Sequence, residues 1–161
     1  MRIETRVGIG TSVKIYLPRT QPTGVDVSPR QSESVQQHRK GALILLLDDD
    51  DAVRNITASL LRELGYLVLE VGSGGAALDL LEKNPSVDLA LLDFAMPGMN
   101  GVEVAKQMHS KFPSLPILFI TGYADKAALG EISETKIIKK PFAGNELANK
   151  VGVALQMGRF G

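Results

Sequence analysis

The 161 residues include no cysteine, which excludes a disulfide framework, a thiolate metal site and a thiol nucleophile. That suits a reducing cytoplasm, the expected location. Histidine is scarce as well. His38 falls in a polar stretch and His109 near the polar edge of a helix, and both are expected to be exposed. No apolar run approaches the roughly 20 residues of a membrane span, and the N-terminal stretch does not read as a secretory signal. No membrane contact is therefore expected from this chain. Neither sign of charge is in excess, yet the balance is uneven: residues 1–40 carry 7 Lys/Arg against 3 Asp/Glu, and the remainder carries 11 against 15. An acidic main part and a short basic part without a Lys/Arg run argue against nucleic-acid binding.

What is present fits one ordinary globular domain plus additional chain, at 44% hydrophobic and 22% charged. Within residues 4–17, Ser12–Leu17 alternates well enough to read as one strand after a turn at Gly8 and Gly10. A lone strand cannot bury itself, so 1–17 is expected to be the end of another domain. Residues 18–41 are rich in Pro, Ser and Gln and read as a flexible linker. From Ala42 to residue 157 strands alternate with helices, and 158–161 read as a tail.

Leu43–Leu47 is a wholly apolar strand that runs into four consecutive aspartates, LILLLDDDDAVRN. Asp51 is expected to cap a helix with Val53, Ile56, Leu60, Leu61 and Leu64 on one face. Tyr66–Val71, Val87–Leu92, Pro116–Ile120 and Lys136–Ile138 read as further strands. The spacing predicts helices near Ala76–Lys83 (Ala77, Leu78 and Leu81 inward) and over Val102–Lys111 (Val102, Ala105, Met108 and Phe112 inward). It also predicts a short helical stretch near Ala124–Leu129 and a last helix over Gly144–Gln156 that buries Leu147, Val151, Ala154 and Leu155. Near-continuous apolar strands separated by helices imply an α/β fold. Right-handed crossovers then favour a doubly wound, flavodoxin-like five-stranded parallel sheet of order 2-1-3-4-5.

In such sheets ligands bind beyond the carboxyl ends of the strands, at the switch point. Strand one ends in Asp48 and Asp49, strand three in Asp93, strand four in Thr121, and strand five runs into Lys139, Lys140, Pro141 and Phe142. Clustered carboxylates without His or Cys suit a hard oxygen-seeking cation, with Mg²⁺ the natural choice. Such a metal would offset the repulsion and bring a phosphoryl group up to Asp93 as nucleophile, with Thr121 and Lys140 holding its oxygens. Asp50, Asp51 and Lys139 are expected to be solvated, and Met96, Pro97, Gly98 and Met99 to shape a loop.

Asp48–Asp49 after an apolar strand, Asp93 in LLDFAMPGMNG, Thr121 in ITGYA and Lys140 in KKPF together resemble a response regulator receiver domain of two-component signalling. The resemblance implies that Asp93 accepts a phosphoryl group from a histidine kinase, in cis or in trans. Mg²⁺ would be held by Asp49, Asp93 and the carbonyl of Ala95, with Asp48 acting through a metal-bound water. It also implies a cis Lys140–Pro141 bond, and a histidine phosphotransfer protein or a second copy of the chain as further partners. Two positions depart from the pattern. Ile137 stands where such domains carry an aromatic switch residue, so the signal is expected to leave by another route. Ala95 and Tyr123 flank the site, and Ala95 offers no side chain to orient a water, which points to slow loss of the phosphoryl group. The stretch VGIGTSVKIYLPR resembles the closing strand of a histidine kinase ATP-binding domain. This implies a hybrid kinase as the parent protein, and no ATP binding by the present chain. No helix-turn-helix segment follows the last helix, so output through a partner or the parent kinase is expected.

Two alternatives use other residues. A haloacid-dehalogenase-like phosphohydrolase would take Asp49 as nucleophile and Asp51 as acid/base, since LLLDDDDAV fits its Asp-x-Asp-x-Val opening. It needs a later acidic pair, and residues 141–161 contain only Glu146. A nucleotide-binding loop could be read in Gly72, Gly74 and Ala77 of VGSGGAAL, but it leaves Asp48, Asp49, Thr121 and Lys140 without a role.

Overall fold

The computed structural model describes residues 2–6, 10–14, 41–122 and 132–157. The chain divides into two units, Met1–Ser34 and Val35–Gly161. In the first, β1 (Arg2–Arg6) pairs antiparallel with β2 (Gly10–Lys14). Where the alternation pointed to a single strand over Ser12–Leu17, a hairpin is found, with β2 starting at Gly10. The backbone groups of one strand are thereby answered by the other. Most of the linker, the helical stretch near Ala124–Leu129, Tyr123, His38 and the tail lie outside the described residues.

The second unit is built on five parallel strands: β3 (Leu43–Leu47), β4 (Leu67–Val71), β5 (Leu89–Asp93), β6 (Ile117–Thr121) and β7 (Ile137–Lys139). Their order is β4-β3-β5-β6-β7, the doubly wound 2-1-3-4-5 arrangement. Among the described residues, four α-helices alternate with them: α1 (Asp51–Glu63), α2 (Gly74–Lys83), α3 (Gly101–Lys111) and α4 (Gly144–Met157). Among the described residues, no helix is long and apolar enough to cross a membrane.

Side chains alternate across a strand, so the apolar run LILLL serves two cores. Ile44 and Leu46 pack with Leu89, Leu91, Ala58, Leu61, Leu147 and Val151 beneath α1 and α4. Leu45 and Leu47 pack with Ala90, Leu92, Ala77, Leu81, Val104 and Met108 beneath α2 and α3. Leu45, Leu46 and Leu47 of β3 and Leu89, Leu91 and Leu92 of β5 are fully buried, each contributing about 1.5–3 kcal/mol of transfer free energy. That tight double layer holds the strand ends in register.

Three local expectations need correction. Asp50, not Asp51, caps α1: its Oδ1 accepts from the N–H groups of Ala52 (2.8 Å) and Val53 (3.1 Å). Ile56 is 64% exposed, because the buried stripe of α1 runs through Thr57, Ala58 and Leu61. In α3 the fully buried residues are Gly101, Val104 and Met108, while Val102, Ala105 and Phe112 are only partly covered. In α1 and α3 the apolar pattern found the helix, and packing against the sheet chose the face.

Candidate functional site

Strand register explains why the acids meet. In the β3–β5 ladder Leu46 lies opposite Leu91 and Leu47 opposite Leu92, so one further step sets Asp48 beside Asp93. In the β5–β6 ladder Asp93 lies opposite Ile120, with Thr121 next along the strand. Thr121 in turn lies opposite Lys139, and the backbone N–H of Lys140 donates to the Thr121 carbonyl at 2.7 Å. Four neighbouring strands thus deliver Asp48, Asp93, Thr121 and Lys140 to one rim.

The side chains converge as the register requires. The Lys140 ammonium donates to Asp93 Oδ1 at 2.6 Å and to Asp48 Oδ2 at 3.0 Å. Asp48 Oδ1 also accepts from the Asp50 N–H at 3.0 Å. Asp48, Asp93 and Thr121 are buried, while Asp49 is exposed at the mouth. One carboxylate oxygen from each of Asp48, Asp49 and Asp93 lies within 4.8 Å of the others. The Thr121 hydroxyl donates to the Gly122 carbonyl at 3.1 Å. The Lys140–Pro141 bond is cis. Lys139 is 63% exposed and pairs with Glu134, and His109 is exposed, so both stand outside the site.

The electrostatics of the pair are asymmetric. Burial raises the Asp93 carboxyl above the usual aspartate range. The hydrogen bond and charge of Lys140 oppose that shift, and the charge of Asp48 adds to it. Burial pulls Lys140 down, but its bonds to Asp93 and Asp48 outweigh it and the ammonium titrates above its ordinary value. Lys140 therefore stays charged, whereas Asp93 is a carboxylate under strain from desolvation.

The donor set tests the metal expectation. Its three closely spaced carboxylates supply oxygen ligands alone and include neither imidazole nor thiolate, which fits a hard divalent cation. Asp49, at the open side, can meet a hydrated ion directly. The inner Asp48, already bonded twice, fits contact through a water.

The four aspartates of the opening motif divide their work. Asp48 and Asp49 belong to the rim, Asp50 caps α1, and Asp51 forms an ion pair with Arg54 on the surface. The hydrolase alternative finds no support, since Asp51, its acid/base, is 83% exposed and engaged by that arginine. The glycines of the nucleotide alternative serve packing. A Cβ at Gly74 would lie 2.6 Å from Val104 Cγ2, and one at Gly72 would lie 3.1 Å from the Arg54 guanidinium.

Arg54 and Gly101 were not read from the sequence, and Gly72 was read only as part of a nucleotide loop. Arg54 Nη1 donates to the Asp48 carbonyl at 2.7 Å, and Gly72 faces that guanidinium. Gly101 opens α3 where a Cβ would stand 2.3 Å from the Asp93 carbonyl. Its signal was available: glycine is a poor first helical residue after a good cap, and Asn100 forms a full capping box with Glu103. Ile137 is buried and lies opposite Phe119. Phe119 meets Phe94 edge to face, with ring centroids 6.4 Å apart beneath the rim. Ala95 is exposed, and its N–H donates to the Asp93 carboxylate.

Comparison with known proteins agrees with this geometry. A family model described as the response regulator receiver domain matches residues 44–152. The chain is 36% identical over 112 residues to the response regulator receiver protein CpdR of Brucella abortus, covering 67% of this chain and 92% of CpdR. It is 30% identical over 163 residues to the sensor kinase CckA of the same organism, covering 95% of this chain but only 17% of the kinase. A crystal structure of the receiver domain from the hybrid histidine kinase CckA is 36% identical with a TM-score of 0.60, covering 71% of this chain and 100% of that one. With the family model spanning most of the chain, the five-stranded order and the acid–Thr–Lys rim have their explanation: the protein belongs to the response regulator receiver domain family of two-component signalling.

Proposed function

We propose that Asp93 is the phosphoacceptor, charged by a phosphohistidine of a partner kinase. An Asp93 carboxylate oxygen attacks phosphorus, the new O–P bond forms as the N–P bond breaks, and the imidazole nitrogen leaves with the bonding pair. Thr121 and Lys140 hold the phosphoryl oxygens, Lys140 exchanging its bond to Asp93 for one to the incoming group. Asp49, Asp93 and the Ala95 carbonyl would hold Mg²⁺, and Asp48 would act on it through a water. When bound, the metal neutralises charge between the carboxylates and the phosphoryl group. Water later attacks phosphorus, the O–P bond breaks, and free carboxylate and inorganic phosphate return. Ala95 brings no side chain to orient that water, which supports a slow loss. The observation that carries the reading is the Lys140 ammonium 2.6 Å from Asp93 and 3.0 Å from Asp48, within a three-carboxylate cluster.

Phosphorylation then shifts an equilibrium between two surface states. Ile137, buried against the sheet and aliphatic, leaves no aromatic ring to swing, so the change reaches partners by another route. The parent protein is a hybrid histidine kinase. Residues 1–17 close its ATP-binding domain, 18–41 link it to the receiver at 42–157, and 158–161 form a tail. The sensor-kinase alignment over 95% of the chain supports this order. The kinase acts in cis or in trans on the cytoplasmic side, a histidine phosphotransfer protein is the next acceptor, and a homodimer is the expected assembly.

Acetyl phosphate with Mg²⁺ should yield an acid-stable, base-labile adduct of about 80 Da on Asp93. EDTA should lower its yield at least ~10-fold. Peptide mapping that finds the adduct on Asp49 instead would overturn the assignment.

A further inference from the structure

We propose that Arg54 is a positioning residue for the metal-binding carboxylates, and that Gly72 is kept bare to seat it; the inference rests on the Mg²⁺ reading of the same site. At Asp48 the chain leaves the β3 ladder. Its N–H still donates to the Val71 carbonyl at 3.2 Å, but its own carbonyl turns to Arg54 Nη1 at 2.7 Å. Arg54 therefore supplies the donor that the sheet no longer offers, and it pins the peptide joining Asp48 to Asp49. Among the described residues, no hydrogen bond from its own side chain holds Asp49, so the backbone that carries it must aim it. That backbone is the one Arg54 grips.

The rest of the arginine is arranged for this task. Its other terminal nitrogen pairs with Asp51, so its charge is answered away from the rim, and the side chain is only 16% exposed. A planar fork can bridge a carbonyl and a carboxylate at once, which an ammonium cannot do with the same fixed geometry. A Cβ at residue 72 would lie 3.1 Å from Nη1 and 3.9 Å from the Asp48 carbonyl. Glycine at the β4–α2 junction thus makes room for the guanidinium over the strand end.

A residue that merely staples α1 would change stability and leave metal affinity alone, whereas outer-shell partners typically change affinity 10–100-fold. The test measures Mg²⁺ affinity of the full chain by calorimetric titration beside its melting temperature in EDTA. Arg54→Ala should bind Mg²⁺ about tenfold more weakly while remaining folded, and Arg54→Lys should fall between it and wild type. Gly72→Ala should weaken binding about threefold alone and add nothing in the Arg54→Ala background, the mark of a shared path. Wild-type affinity in a folded Arg54→Ala chain, whatever its melting temperature, would overturn the inference. Should Arg54→Ala fail to fold, wild-type affinity in Arg54→Lys would do the same. No Mg²⁺ binding by the wild type would overturn the metal reading and this inference with it.

Discussion

Asp93→Asn should fold, melt at a higher temperature than wild type in EDTA, and take no phosphoryl group from acetyl phosphate. The loss follows from chemistry: a neutral amide is no nucleophile toward phosphorus, and the adduct should drop by at least ~100-fold. The gain in stability follows from burial. The Asp93 carboxyl is raised above its ordinary value, with desolvation the largest cause. A group raised in the folded state adds stability at pH below its unfolded value, and that stability is lost as pH rises through the folded one. At neutral pH wild-type Asp93 therefore carries a cost that asparagine, of nearly the same shape, cannot incur. Lys140 keeps Asp48 at 3.0 Å in the variant, so the ammonium is not left alone. Mass spectrometry with calorimetry at pH 7 checks both halves. A persistent adduct on the variant would remove Asp93 as acceptor, and an unchanged or lower melting temperature would show that the Lys140 bond outweighs desolvation.

The second large effect comes from a methyl group. Gly101→Ala would set a Cβ 2.3 Å from the Asp93 carbonyl and 3.1 Å from Phe94 Cα. Both are backbone atoms of the strand end itself, and neither can rotate away. The loop from Asp93 to Gly101 is further closed by the Gly101 N–H bonded to the Phe94 carbonyl at 3.1 Å and by the Asn100–Glu103 capping box. Relief therefore requires α3 or the end of β5 to move. Overpacking of this kind costs about 1–3 kcal/mol, which should lower the melting temperature by roughly 5–10 °C in a domain of this size. Because the displaced atoms belong to Asp93, the proposed acceptor, phosphorylation of the folded fraction should slow at least ~10-fold. A variant that melts lower yet phosphorylates at the wild-type rate would assign Gly101 to packing alone.

Much of this was legible in order along the chain. The apolar pentapeptide at β3 and its counterparts at β5 and β6 mark buried parallel strands, because only a sheet covered on both faces tolerates five successive leucine-like residues. The residues that follow each run, Asp48, Asp93, Thr121 and Lys140, then fall at one edge by topology alone. Ile56 misled for the opposite reason: a helix pattern allows neighbouring stripes, and packing selects one of them. The cap at Asp50 was hidden among four equivalent aspartates, since composition cannot say which carboxylate reaches back to a free N–H.

The sequence by itself determined the fold, the rim and the kind of chemistry, since strand periodicity and the residue at each strand end are local properties. Tertiary structure alone decided how Asp48, Asp93 and Lys140 share charge, why Arg54 lies against Gly72, and why residue 101 must lack a side chain. Those facts depend on distances between atoms that only the packed sheet and helices bring together. Only after the sheet is closed and the helices are seated do such atoms come within an ångström-scale reach of one another.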